Sequence, residues 1–316
     1  MLEMLKNKQN VINVCLACDN NYAQYAGVVI ASVLANSDEN EVLNFYILEN
    51  GVSSENKEKI RSLTSIKNCS IFFVSPNNEM FSDYLAIKTH DYISLPTYYR
   101  LKLPTILQDV SRVIYLDCDV IVNHSLSELF NTELGDCPVA GVRDINKKAI
   151  KKNPSYVNAG VLVMDIENLR KFNAEQKFLT WTIENKSSIK LGDQEIINEV
   201  LKGCIKIVPD EWNVQSSNFT NRSSYTNAPK IVHFVARKKP WHYASFSYHK
   251  NLYFKYLQLT PWQLDDTEYK HWTKDNQRES IIAYLKYRPF ILFRPRFYKA
   301  LFYTYVIPLI RGELNK

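Results

Sequence analysis

The first half of the chain alternates short apolar runs with helical patterns, and this alternation constrains the fold most. Val11–Ala17 is rich in β-branched residues and is followed by the polar break Cys18, Asp19, Asn20, Asn21. Tyr22–Ala35 then carries apolar residues at helical spacing. Leu43–Leu48 reads as a second strand and Ser53–Leu63 as a charged amphipathic helix. Ile71–Val74, Val113–Leu116, Val139–Val142 and Val161–Met164 continue the strands, with helical stretches near Leu169–Glu184 and Asp193–Leu201. This rhythm predicts an α/β fold: a mostly parallel central sheet with helices on both faces. Ligands of such sheets bind outside the carboxyl ends of the strands. Polar residues just after strands are therefore the first candidates for a site.

The sharpest of these is the segment RVIYLDCDVIV, residues 112–122, where an apolar strand ends in Asp117 and Asp119. In extended chain, carboxylates at i and i+2 share a face, and they repel unless a cation joins them. Mg²⁺ and Mn²⁺ take such oxygens and in turn bind phosphates. A second run, IVHFVARKKPWHY (231–243), places His233 after two β-branched residues, with Lys239, Pro240 and Trp241 further on. A neutral imidazole suits Mn²⁺ as a third ligand, and a lysine can hold a phosphate as a point charge. Blander readings compete: Asp117 capping a surface turn, His233 half-buried in a strand, Asp193 as a helix N-cap, Arg100 as a solvated helix charge.

Charge and cysteine content narrow the function classes. The chain has 316 residues, 39 basic and 33 acidic. Residues 285–316 hold seven of the basic ones (Lys286, Arg288, Arg294, Arg296, Lys299, Arg311, Lys316) and one acid, Glu313. Removing these leaves 32 of each sign. The body is thus neutral, which disfavours a nucleic-acid binder. The tail interleaves those cations with aromatics, and its longest uncharged run, Ala300–Ile310, contains Pro308 and is too short to span a bilayer. It suits an anionic membrane interface. Cys15 and Cys18 form a CxxC inside an apolar run with no His partner, so buried reduced thiols are expected. No secretory signal is apparent at MLEMLKNKQN, and the expected setting is the reducing cytoplasm.

The motifs gain specificity as a set. DNNYAQYAGVVIASVLANS (19–37), SLPTYYRLKLP (94–104), VIYLDCDVIV (113–122), NAGVLVMDI (158–166), LGDQEIIN (191–198) and HFVARKKPW (233–241) follow one another in order. Together they resemble glycosyltransferase family 8, in particular the bacterial lipooligosaccharide α-galactosyltransferases and related glucosyltransferases. The resemblance runs over roughly residues 11–245. It implies a GT-A catalytic domain, read over 1–260; the composition of 261–316 marks that stretch as a basic, aromatic membrane-association segment, with a helix packed on the catalytic domain as the rival reading. The resemblance also implies a UDP-galactose or UDP-glucose donor, Mn²⁺ with Mg²⁺ as a substitute, and retention of anomeric configuration. By the resemblance, Asp117, Asp119 and His233 would hold the metal. Ala17, Asp19, Asn21 and Tyr22 match the nucleoside segment. Arg100 and Cys118 belong to the donor side, Asp144 and Asn158 would face the sugar, and Lys239 would meet the diphosphate. Asp193 and Gln194 are the catalytic candidates. Ala236 stands where the family carries a glycine beside the phosphate, and alanine disfavours positive φ. The expected activity is hexose transfer to a growing, lipid-linked surface glycan, lipopolysaccharide core foremost, by an enzyme peripheral on the inner membrane face. Transfer to capsule or protein-linked glycan is a close rival. A non-catalytic nucleotide-sugar-binding module is a distant one, since it need not keep all three metal ligands.

Overall fold

A computed structural model describes residues 10–87, 94–216, 228–235, 239–241, 247 and 249–262, with isolated positions beyond 291. The tail segment and Ala236 lie largely or wholly outside the described residues. Among the described residues no helix is long and apolar enough to cross a membrane.

Seven strands form the main sheet: β1 (Asn10–Asp19), β2 (Glu41–Asn50), β3 (Ser70–Val74), β4 (Arg112–Leu116), β6 (Val139–Arg143), β7 (Val157–Asp165) and β8 (Ile205–Ile207). Their order is β3-β2-β1-β4-β7-β6-β8. β7 runs antiparallel to both neighbours and the remaining pairings are parallel. Helix α1 (Ala23–Ala35) follows β1, and α2 (Ser54–Arg61) follows β2. On the other half lie α3 (Ala174–Asn185) and α4 (Asp193–Val200). The sheet therefore separates two cores. Val14, Leu16 and Cys18 pack on the side of α1, whereas Cys15, Tyr115, Leu162 and Met164 pack on the side of α3 and α4. Burial on both faces explains why β7 reads VNAGVLVMD, apolar almost throughout. The same geometry sends the two thiols of the CxxC to opposite faces, so they cannot pinch a metal. All six cysteines are free.

A second, three-stranded sheet holds β5 (Val120–Val122), β9 (Val214–Ser216) and β10 (Ile231–Phe234), in the order β5-β10-β9. β5 pairs antiparallel with β10 and puts His233 opposite Val120. That register carries the fold's long-range consequence, because it delivers His233 next to Asp119. Tyr25 and Trp241 stack at 3.8 Å between ring centroids and join α1 to this small sheet through α5 (Lys250–Leu257).

The helical stretch expected over Leu169–Glu184 is two helices, Ile166–Lys171 and α3. The break is at Asn173, whose φ of 53° lies in the left-handed region. Asn tolerates that conformation better than most residues do.

Candidate active site

β4 stops at Leu116, and Cys118 and Asp119 form a turn before β5. The two carboxylates therefore converge across a turn rather than along an extended strand, as i, i+2 spacing had suggested. The Asp117 amide still donates to Gly160 O at 2.8 Å, which holds the turn against β7. From the other side, Phe234 N donates to Asp119 O at 2.9 Å. His233 Nε2 then lies 3.2 Å from Asp119 Oδ1 and 3.9 Å from Asp117 Oδ2. One ligand atom from each of Asp117, Asp119 and His233 falls within 4.8 Å of the others.

These residues fit a divalent cation. Asp119 Oδ1 is buried and accepts no hydrogen bond from the described residues, a costly arrangement for a carboxylate oxygen unless a cation meets it. The donor set, two carboxylates and an imidazole, is one that Mn²⁺ and related ions accept. Burial opposes ionisation of Asp119, yet Lys239 outweighs it and holds its pKa well below the usual carboxylate range. Lys239 Nζ donates to Asp119 Oδ2 and, at 2.7 Å, to Phe234 O. Gly160 makes the approach possible. A Cβ there would sit 2.2 Å from His233 Cε1 and 2.8 Å from Asp117 Oδ2.

A chain of amides runs from His233 to the far end of the site and assigns the ring nitrogens. Gly160 N–H can only donate, and it meets Asn158 Oδ1 at 3.1 Å. Asn213 therefore offers its NH₂ to the same oxygen, at 3.0 Å. Its carbonyl is left to face His233 Nδ1 at 3.1 Å, so Nδ1 carries a hydrogen and Nε2 is the nitrogen turned to the carboxylates. Asn158 Nδ2 donates onward to Asp144 Oδ2 (3.2 Å) and Gln194 Oε1 (3.1 Å). Gln194 Oε1 also accepts from Ala159 N, and Gln194 Nε2 donates to Asp144 Oδ2, both at 3.1 Å. Asn198, one turn further along α4, clamps β7 by exchanging bonds with Val157 N (2.7 Å) and Val157 O (2.8 Å).

Arg100 ties the two halves together and is buried, not solvated. Its guanidinium donates to Asp117 Oδ1 (2.6 Å), Ala159 O (2.5 Å) and Thr97 O (3.1 Å). It also pairs with Asp193 Oδ2 at 3.1 Å and stacks over Tyr115. Asp193 is the first residue of α4, preceded by Gly192 at the cap position, so it is not the N-cap. Burial pushes its carboxyl up to about 6 despite Arg100.

At the carboxyl end of β1, Asp19 Oδ1 accepts from Tyr22 N at 3.0 Å and shapes the turn that exposes Asn21 and Tyr22. Cys118 Sγ donates to Ala17 O at 3.3 Å and joins this turn to that of Asp117 and Asp119. A hydrogen bond with Cys18 and burial push the Cys118 thiol well up, so it stays protonated. Asp117, Asp119, His233 and Lys239 thus meet at one end of the site, linked through Arg100 to Asp193 and through Asn158 to Asp144 and Gln194. Ala17 is reached through Cys118, and Asp19, Asn21 and Tyr22 lie at the turn that ends β1. Asn213, Asn198 and Gly160 were not singled out, and each has a structural part in the site.

The model of glycosyl transferase family 8 matches residues 13–245. The chain belongs to glycosyl transferase family 8. Among family 8 relatives, a putative glycosyltransferase of Haemophilus influenzae is 34% identical over 245 residues, 73% of each chain. The lipopolysaccharide 1,2-glucosyltransferase of Escherichia coli K12 is 25% identical over 281 residues, 82% of this chain and 81% of that one. Among solved structures, the galactosyltransferase LgtC in complex with donor and acceptor sugar analogs superposes with a TM-score of 0.70. The identity is 24%, covering 81% of this chain and 99% of LgtC. The GT-A arrangement expected from the sequence is thereby shown, and the protein is a glycosyltransferase related to enzymes of lipopolysaccharide assembly.

Proposed function

We propose that this family 8 member is a retaining hexosyltransferase. It would move galactose or glucose from a UDP-sugar to a growing surface glycan, lipopolysaccharide core foremost, with Mn²⁺ assistance. The observation that carries this reading is the convergence of Asp117, Asp119 and His233, whose ligand atoms lie within 4.8 Å of one another. A bound divalent cation supplies Lewis-acid charge to a pyrophosphate leaving group. Lys239, already beside Asp119, adds a second positive charge at that end. Asn21 and Tyr22 would receive the nucleoside. Asp144, Asn158, Asp193 and Gln194 would line the sugar.

Retention by double displacement needs a nucleophile beneath the anomeric carbon. Gln194 Oε1 already accepts two N–H bonds, and Asp193 is paired with Arg100. Gln194 Oε1 and Asp193 Oδ2 are thus both engaged in holding the site. This supports front-face attack by the acceptor hydroxyl, with its proton passing to the leaving phosphate oxygen, while Gln194 and Asp193 orient the sugar. Residues 1–260 would make up the catalytic domain. Residues 261–316 would hold it at the inner leaflet, where a lipid-linked acceptor lies.

The deciding experiment screens UDP-galactose and UDP-glucose for UDP release with and without Mn²⁺. Release that is abolished by chelation and by Asp119→Asn supports the reading, whereas metal-independent turnover or none sinks it. A covalent sugar adduct on Asp193 would overturn the front-face route. Unchanged membrane fractionation after deleting residues 285–316 would overturn the role of the tail.

A further inference from the structure

We propose that the helix Lys147–Lys152 docks an anionic acceptor. The acceptor's phosphate or carboxylate groups would lie against Lys147, Lys148, Lys151 and Lys152 while one of its hydroxyls enters beside Asp144 and Gln194. The inference rests on the transferase reading above and adds the chemical class of the acceptor.

Four of this helix's six residues are lysines, and all four are exposed. Among the described residues none of them is ion-paired. Some lysines elsewhere do pair, as Lys57 with Glu49, Lys59 with Glu55, Lys102 with Glu175 and Lys230 with Glu128, and others among the described residues are single, but four on one short helix is the local concentration. The arrangement works against the helix that carries it. Lys147 and Lys151, and Lys148 and Lys152, are like charges at i, i+4, which destabilise a helix. Lys147 and Lys148 sit in the first turn, where the dipole disfavours cations and no acid accompanies them, whereas Lys151 and Lys152 sit in the last turn, where it favours them. A solvated face has no need of this concentration; without these four lysines, residues 1–284 hold 28 basic and 32 acidic side chains. An anion laid across the helix relieves both costs.

Both ends of the helix are fastened to the sugar end of the site. Asn146 N donates to Asp144 Oδ1 at 2.7 Å, and Asn146 Oδ1 caps Lys148 N and Ala149 N at 3.1 and 3.3 Å. At the other end, Asn153 Nδ2 donates to Asn198 O at 3.1 Å, one turn after Gln194 on α4. Just before the helix, Ile145 N meets Gln215 Oε1 at 3.3 Å. The lysines therefore belong to the Asp144 pole. The cation pole lies at the opposite end of the amide chain, through Asn158 and Asn213. The donor's diphosphate is served by the cation pole, which leaves the acceptor as the anion at Asp144.

The test uses the full chain and two matched hexose-terminated oligosaccharides, one bearing a phosphate monoester and one without. The wild type should bind the phosphorylated compound about tenfold tighter at low salt, with the preference shrinking as salt rises. The quadruple variant K147Q/K148Q/K151Q/K152Q should lose that preference and keep its affinity for UDP and its melting temperature. The quadruple Lys→Arg variant should retain the preference. Equal binding of both compounds by the wild type overturns the proposal, as does a glutamine variant that still discriminates. A glutamine variant that loses binding to phosphatidylglycerol vesicles while its oligosaccharide preference stands assigns the patch to lipid and also overturns it. Hexose transfer at equal efficiency to both compounds defeats this inference and spares the transferase reading. Discrimination in binding with no transfer from either UDP-sugar does the reverse.

Discussion

Asn213 Oδ1 meets His233 Nδ1 at 3.1 Å, and this contact decides which ring nitrogen faces Asp117 and Asp119. A histidine that ligates a metal ordinarily donates its other N–H to a fixed acceptor, and losing that acceptor costs about 10–100-fold in metal affinity. Asn213→Leu should therefore weaken Mn²⁺ binding by that order, read by calorimetry or by the electron paramagnetic resonance of free Mn²⁺. Asn213→Asp keeps an acceptor for Nδ1–H and should retain most of the affinity. It ends the bond to Asn158 Oδ1, so its defect should appear in donor-sugar affinity. Equal Mn²⁺ binding by all three proteins would show that Asn213 does not position the ring.

Gly160 gives a steric prediction. A methyl placed 2.2 Å from His233 Cε1 must move the ring, because β7 is held on both sides by the sheet. Overpacking of this kind costs about 1–3 kcal/mol. Gly160→Ala should thus fold with a lowered melting temperature and lose Mn²⁺ binding outright. An alanine variant that binds Mn²⁺ as the wild type does would contradict the geometry.

The sequence pattern carried the sheet better than it carried the site's supports. β1, β2, β3 and β4 are legible because β-branched runs alternate with helical periods, and DNNY and DCD mark the ends of β1 and β4. β5, β8 and β9 span three residues each, too short for any periodicity to register. The break at Asn173 escaped because the apolar period continues across it. Asn213 lies in a short 3₁₀ turn, DEWN, with no pattern around it, and its importance comes from a register set by β9 and β10. Asn198 closes the LGDQEIIN motif, but a clamp on β7 cannot be read from spacing. Arg100 reads as an ordinary charge until the fold buries it between two carboxylates.

Asp193 predicts a pH dependence. An aspartate in an unfolded chain ionises near pH ~4, whereas burial keeps this one protonated to about 6 in the folded protein. Between those values the native state binds more protons than the unfolded state, so stability falls as pH rises through the window. Above about 6 the difference is constant. Asp193→Asn removes the titrating group. The melting temperature of the wild type relative to this variant should therefore decline from pH 4 to 6 and then level. A relative rise over that range would mean that Arg100 outweighs burial.

Arg100 is the buried cation on which both Asp117 and Asp193 depend, at 2.6 and 3.1 Å. Removing one partner of a buried ion pair costs about 3–5 kcal/mol, because the remaining charge is stranded. For a domain of this size that is a fall on the order of 10 °C in melting temperature. Arg100→Met should show it. Arg100→Lys keeps the charge but cannot span two carboxylates and two carbonyls, so it should fall in between. The double variant Arg100→Met/Asp193→Asn no longer strands a charge at residue 193. Asp117 is better solvated than Asp193, with its side chain 29% exposed against 6%. The second substitution should therefore recover most of the lost stability. Additive losses in this cycle would mean that the two residues do not interact, contrary to the geometry.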